Sequence, residues 1–97
     1  MREAPRHVSV VSREERMLQV ELYGVLQQAA GQRSLRLDDI GPEATVAEVL
    51  ETLESRYPSL AAHLPRVACA QGDTLVRPAQ TVDLGRPLVL LPPVSGG

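Results

Sequence analysis

The sequence predicts a single α+β domain in which a mixed sheet of about four to five strands packs on one main helix. Three observations lead to this prediction. Apolar and polar residues alternate at two places early in the chain, which is the period of a half-buried strand. A central segment has apolar residues at helical spacing. Short apolar runs separated by turn residues follow that segment, which is typical of further strands.

The first two strands are predicted at residues 18–23 and 34–38. Leu18, Val20 and Leu22 alternate with polar residues, so we expect these three side chains to face the core. Residues 34–38 alternate in the same way and are predicted to run antiparallel to the first strand. The connection between them, residues 24–31, is turn-rich or briefly helical.

The main helix is predicted to begin at Thr45. Thr45 and Glu48 fit a capping box, in which each side chain meets a backbone donor of the other residue. Pro58 cannot continue the helix and disfavours helical geometry at the residue before it. The apolar positions form one stripe: Val46, Val49, Leu50, Leu53 and Tyr57.

Three shorter strands are predicted after the helix, at residues 67–70, 74–76 and 88–91, with a turn at residues 71–73. The last of them is apolar on both faces, so we place it in the centre of the sheet. The crossover through the helix is long enough for a parallel connection. This order of elements is the β-grasp plan of ubiquitin-like domains.

Residues 1–16 are expected to form a flexible N-terminal extension to a domain of residues 17–97. They are rich in Arg and Glu and contain one apolar patch at Val8, Val10 and Val11. That patch could instead form an added edge strand. Because residues 1–16 have no strong pattern and a domain that begins at Met17 looks complete, we expect them to be dispensable for folding.

The end of the chain is the candidate functional segment. Pro92 and Pro93 lack backbone donors and have a restricted φ, so the chain is expected to leave the sheet stiff and extended. Gly96 and Gly97 have no Cβ and can pass through a channel too narrow for a side chain. Residues 92–97 would form an arm of roughly 20 Å. The alternative is a frayed tail without a function.

Composition argues against several other functions. The net charge is −2 and no basic cluster is interleaved with aromatic residues, so we expect no nucleic-acid partner. No apolar run approaches about 18 residues, so we expect no membrane span, and cytoplasm is the default compartment. Cys69, the single cysteine, is expected to be a buried core thiol, and the two histidines offer no zinc spacing. We therefore expect no metal site.

Residues 17–97 resemble the small subunit of molybdopterin synthase, a ubiquitin-like sulfur carrier. The opening strand with its following glycine, Val20 to Gly24, carries part of the resemblance. The specific part is the ending, Leu91-Pro92-Pro93-Val94-Ser95-Gly96-Gly97. The sequence departs from the family at residues 84–87, where a Gly-Asp turn is usual, and at Gln27, where a basic residue is frequent. The N-terminal extension has no counterpart.

The resemblance implies a carrier cycle in which the chain is not an enzyme on its own. An E1-like adenylyltransferase would use ATP to adenylate the Gly97 carboxylate, and sulfur would then replace AMP to give a thiocarboxylate. The arm, through Pro92, Pro93, Val94, Ser95 and Gly96, would enter the larger catalytic subunit of molybdopterin synthase and donate sulfur to a pterin precursor. No tightly bound cofactor is implied.

Two other functions remain open from the sequence. The chain could carry sulfur for another pathway, such as thiazole or cysteine formation. It could also be a β-grasp interaction module or protein modifier without sulfur chemistry. The Pro-Pro-Val spacer and the buried last strand favour molybdopterin synthesis over the other carrier pathways.

Overall fold

The computed structural model describes residues 16–93, which form five strands and two α-helices. Two short 3-10 turns, at Pro58–Leu60 and Leu64–Arg66, connect the second helix to the third strand. In chain order the elements are β1 (Leu18–Leu22), α1 (Val25–Ala30), β2 (Ser34–Leu37), α2 (Val46–Arg56), β3 (Ala68–Gln71), β4 (Thr74–Val76) and β5 (Leu88–Leu91).

The strands form one mixed sheet in the order β2-β1-β5-β3-β4. The last strand, β5, lies in the centre, parallel to β1 and antiparallel to β3. The outer pairs, β1 with β2 and β3 with β4, are both antiparallel. The predicted α+β roll with β-grasp topology is therefore confirmed, and so is the central position of the last strand.

The core lies between one face of the sheet and α2. Leu18, Val20 and Leu22 of β1 are all buried, as the alternation predicts. Leu88 and Leu90 point to the same side from β5 and are fully buried. The predicted stripe of α2 meets them: Val46, Val49 and Leu53 are buried, while Leu50 and Tyr57 are half-buried and pack against the core.

The capping box of α2 is present as predicted. The Thr45 hydroxyl accepts a hydrogen bond from the Glu48 backbone N–H at 3.2 Å, and the Glu48 carboxylate accepts one from the Thr45 backbone N–H at 2.9 Å. These two bonds satisfy donors that a helix start would otherwise leave unpaired. The helix ends at Arg56, two residues before Pro58.

Some boundaries differ from the prediction. β1 ends at Leu22, β2 ends at Leu37, and the region predicted as turn-rich or briefly helical contains α1. β3 is shifted by one residue, because Gln71 belongs to the strand and buries its side chain. Residues 79–87, for which the sequence predicted no element, place Val82 in the core.

Arg16 contacts the domain, although the sequence placed it in the N-terminal extension. Its backbone oxygen accepts a hydrogen bond from the Ile40 N–H at 2.8 Å, and its guanidinium lies 3.6 Å from the Asp39 carboxylate. The apolar patch at residues 8–11 lies outside the described residues. Within residues 16–93, no helix is long and apolar enough to cross a membrane.

Candidate functional site

The root of the predicted arm continues directly from the central strand β5. Pro92 is half-buried and Pro93 is exposed, so the chain leaves the body of the domain between these two residues. Val94, Ser95, Gly96 and Gly97 lie outside the described residues, and their predicted roles remain predictions. What the structure describes is the base from which they extend.

The turn after β1 lies beside the arm root. β1 and β5 are parallel, with Leu22 opposite Leu90, so the C-terminal ends of the two strands lie side by side. Gly24 follows β1 with φ +58° and ψ −132°, and a Cβ added there would lie 3.0 Å from Pro92 Cγ. The neighbours of Gly24, Tyr23 and Val25, are large apolar side chains that are 49% and 40% exposed. We call Tyr23, Val25, Pro92 and Pro93 the arm collar.

The sheet face that points away from α2 is divided into a polar half and an apolar half. We call it the open face. Its polar half lies on β1 and β2 and includes Gln19, Glu21, Ser34 and Arg36. Its apolar half lies on β5, β3 and β4 and consists of Val89, Leu91, Ala68, Ala70 and Leu75.

The strand register aligns one row of residues across the open face. Glu21 lies opposite Val89, Val89 opposite Ala70, and Ala70 opposite Leu75. Leu75, at the outer strand, is 68% exposed and has the most exposed large apolar side chain in residues 16–93. Leu75 and the small alanines beside it form a shallow apolar surface, and exposed apolar surfaces of this kind are typical of protein-binding regions. An acidic residue, Glu21, borders this surface.

Cys69 is buried on the core face of β3, as the sequence predicted. Burial in apolar surroundings disfavours the thiolate and raises the pKa of the Cys69 thiol to about 11. The thiol is therefore protonated near neutral pH and is a poor nucleophile. In the part of the chain that the structure describes, no group of three or more His, Cys, Asp or Glu side chains is placed to hold a metal ion.

Gln71 forms hydrogen bonds that no sequence pattern predicted, and these bonds support the strand that bears the arm. The Gln71 side-chain amide donates to the backbone oxygens of Asp83 and Arg86, both at 2.9 Å, and accepts from the Asp83 N–H at 2.9 Å. These bonds hold the loop that leads into β5. A glutamine before a turn gives no sequence signal for such long-range partners.

Comparison with known proteins gives a family and a set of solved structures. The model of the ThiS family matches residues 20–97. Comparison with curated proteins returned no match. The small archaeal modifier protein 1 (SAMP1) from Haloferax volcanii is similar over 84% of this chain and 99% of its own, with 27% identity and a TM-score of 0.70.

Two further structures share the fold. The putative molybdopterin converting factor subunit 1 from Pyrococcus furiosus is 17% identical over 80% of this chain and 98% of its own, with a TM-score of 0.70. A complex of subunits 1 and 2 of molybdopterin-converting factor from Helicobacter pylori contains a chain that is 22% identical over 84% of this chain and 99% of its own, with a TM-score of 0.58.

The comparisons agree with the topology described above. The likeness to the two molybdopterin-converting factors supports the fold alone, because the identities are only 17% and 22%. The family is shown by the ThiS-family model, which spans most of the chain. The resemblance to ubiquitin-like sulfur carriers is thereby confirmed at the level of the family. The chain belongs to the ThiS family, and it is a small ubiquitin-like protein of the sulfur-carrier or protein-modifier type.

Proposed function

We propose that the chain is the small subunit of a molybdopterin synthase, and that it donates sulfur from a thiocarboxylate at Gly97. The observation that carries this proposal is the Pro-Pro-Val-Ser-Gly-Gly segment, which continues without a break from the central strand of a ThiS-family domain. A strand held by neighbours on both sides is a firm base for a group that has to reach into another protein.

The chemistry proposed for Gly97 needs no side chain from this protein. A carboxylate is a poor electrophile, so the E1-like adenylyltransferase first joins it to AMP from ATP and releases pyrophosphate. A sulfur nucleophile then attacks the acyl carbon, AMP leaves, and the carboxyl group ends as a thiocarboxylate. The partner holds the ATP, and we propose no tightly bound cofactor for this chain. Cys69 has no role in this scheme, because its thiol is buried and protonated.

The proposed docking surface is the arm collar together with the apolar half of the open face. Two of the exposed large apolar side chains, Tyr23 and Val25, flank the arm root, and Leu75 lies on the open face. A partner that covers this surface would receive the arm at the same time. Val94 would pack in a groove of the larger catalytic subunit, and the two prolines would reduce the entropy lost when the arm is threaded.

The similarity to SAMP1 favours one alternative, a ubiquitin-like protein modifier. In that case the activated Gly97 carboxyl group would form an amide with an amine of a target protein. A sulfur carrier for another pathway is the other alternative. Both alternatives use the same arm, so only the product at Gly97 and its acceptor separate them.

The test is mass spectrometry of the chain after incubation with its adenylyltransferase, ATP and a sulfur source. We expect a gain of about 16 Da as one carboxyl oxygen becomes sulfur. Deletion of Gly97 should abolish the gain without a change in melting temperature, and one residue appended after Gly97 should block it. Substitution of Ala for Gly96 should slow it by steric hindrance. Sulfur gain without Gly97 would contradict the proposal, and amide-linked conjugates in place of the sulfur gain would support the modifier.

The acceptor is tested by adding the larger subunit and a pterin precursor to the thiocarboxylated chain. Loss of the added mass together with formation of a dithiolene product would support molybdopterin synthesis. In calorimetry, changing Pro92 and Pro93 to Gly should weaken binding to the larger subunit while the fold remains intact. Unchanged affinity would contradict the role of the prolines.

A further inference from the structure

Gly24 has a backbone conformation that side chains rarely allow. Its φ of +58° with ψ of −132° lies outside the regions that residues with a Cβ normally occupy. The position that a Cβ would take is also close to the arm root. Pro92 Cγ lies 3.0 Å from that position, and Pro92 Cδ and Cβ lie 3.8 and 4.0 Å from it. The Pro92 ring therefore occupies the space that the missing side chain leaves.

The contact follows from the sheet register. Leu22 of β1 lies opposite Leu90 of β5, and continuing this parallel register by two residues brings Gly24 beside Pro92. The turn at Gly24 is held in place by the start of α1. Its carbonyl oxygen accepts hydrogen bonds from the backbone N–H groups of Gln27 and Gln28, at 3.0 and 3.3 Å, and Leu26 is fully buried. The surface against which Pro92 rests is thus anchored by both backbone bonds and core packing.

We propose that Gly24 is a positioning residue for the arm. The Pro92 ring packs on the backbone of Gly24, and we call this contact the seat. The seat sets the direction in which residues 93–97 leave the domain. The consequence for partner reactions rests on the proposed function, whereas the seat itself rests on the contact. The part of the arm beyond the seat has five residues instead of six, a reach of about 17 Å when extended.

A small change at the seat has a large effect at the tip. A Cβ at residue 24 would have to push the Pro92 ring away, since 3.0 Å is closer than carbon atoms normally approach. A tilt of about 10° at the root would move the end of an extended arm by about 3 Å, given its reach of about 17 Å. Misplacement of a reacting group by about 1 Å can lower a rate by about 100-fold.

The chain offers a control at the other end of α1. Gly31 also has a positive φ, +76°, but nothing lies within 4 Å of the position of its Cβ, and its ψ of 14° places it in the left-handed helical region, which side chains tolerate better than the Gly24 conformation. Only Gly24→Ala introduces a clash with the arm root, and its combination with Pro92→Ala separates this clash from backbone strain at residue 24. Pro92→Ala acts from the opposite side, because it removes the ring and leaves Gly24 unchanged.

The experiment measures the amide chemical shifts of residues 94–97 in the isolated protein and the kcat/KM of its adenylation. Gly24→Ala should shift the arm amides and lower kcat/KM at least tenfold, Gly31→Ala should change neither, and Pro92→Ala combined with Gly24→Ala should recover part of the activity. Equal losses in the two glycine variants, or unchanged arm amides in Gly24→Ala, would overturn the proposal.

Misfolding of the variant and failure of the proposed function give distinct outcomes. If Gly24→Ala does not fold, Pro92→Ala alone should still shift the arm amides, and unchanged shifts in that variant would overturn the proposal. The chemical shifts require no partner and no sulfur. Arm amides that respond to Gly24→Ala in a protein whose wild type is never adenylated would support the seat and refute the proposed function.

Discussion

Gln71 offers the sharpest test of how the domain supports its last strand. Replacing Gln71 by Met keeps the length of the side chain and removes its amide. The change eliminates three hydrogen bonds and leaves unpaired the Asp83 N–H and the backbone oxygen of Arg86, while the Asp83 oxygen keeps only its bond from the Arg86 N–H at 3.1 Å. Gln71 is only 6% exposed, so water cannot fully replace the lost amide.

The magnitude follows from the number of bonds. A hydrogen bond of this kind contributes about 0.5–1.5 kcal/mol, so the loss of three should lower the free energy of unfolding by about 2–4 kcal/mol. For a domain of this size the melting temperature should fall by roughly 10–25 °C. Amide protons of residues 84–86 should also exchange faster, because the bonds to Gln71 hold this loop.

The assay is urea unfolding followed by circular dichroism, with Gln19→Met as the control. Gln19 is exposed on the open face, so its replacement should change the free energy of unfolding by less than about 0.5 kcal/mol. If Gln71→Met is as stable as the control, the hydrogen bonds are not what holds the loop before β5. The order of that loop would then need a different physical cause.

Three further predictions concern other parts of the chain. A chain that begins at Met17 should melt within a few degrees of the full chain, since the described contacts that it loses are the bond between Ile40 and Arg16 and the Arg16–Asp39 ion pair, and a fall of more than about 10 °C would indicate an added edge strand. Burial raises the pKa of the Cys69 thiol from 9.0 to about 11. As the pH rises from 9 to 11, the thiol therefore ionises more readily in the unfolded chain, and this lowers the stability of the folded chain. From pH 9 to 11 the wild type should lose up to about 2 kcal/mol more stability than Cys69→Ala, and parallel urea titrations would test this. Leu75→Ser should weaken partner binding in calorimetry with little change in melting temperature, and unchanged affinity would exclude Leu75 from the docking surface.

The sequence predicted the elements that depend on local patterns. Alternation identified β1 and β2, and the capping box identified the start of α2, because each pattern involves residues a few positions apart. The central position of β5 was predicted from its apolar character. The arm was predicted from residue types at the end of the chain, and its root lies where the last strand leaves the sheet.

What the sequence did not predict depends on contacts between distant residues. The partners of Gln71 are 12 and 15 residues away, and no local pattern marks them. The seat of Pro92 on Gly24 joins the two ends of the domain and follows only from the parallel register of β1 and β5. Residues 79–87 have no periodicity, yet Val82 packs in the core, where its backbone N–H donates to the distant Ala44 oxygen at 2.9 Å.

The central position of β5 also affects the order of events during synthesis. A ribosome makes the N-terminal strands first, but the sheet cannot close until β5 lies between β1 and β3. The pairing of β1 with β5 joins residues near opposite ends of the domain, and such distant contacts form late in folding. A nascent chain that lacks β5 therefore exposes one edge of β1 and one edge of β3. The arm follows β5, so the activation proposed for Gly97 could occur only on a chain that already contains all five strands of the sheet.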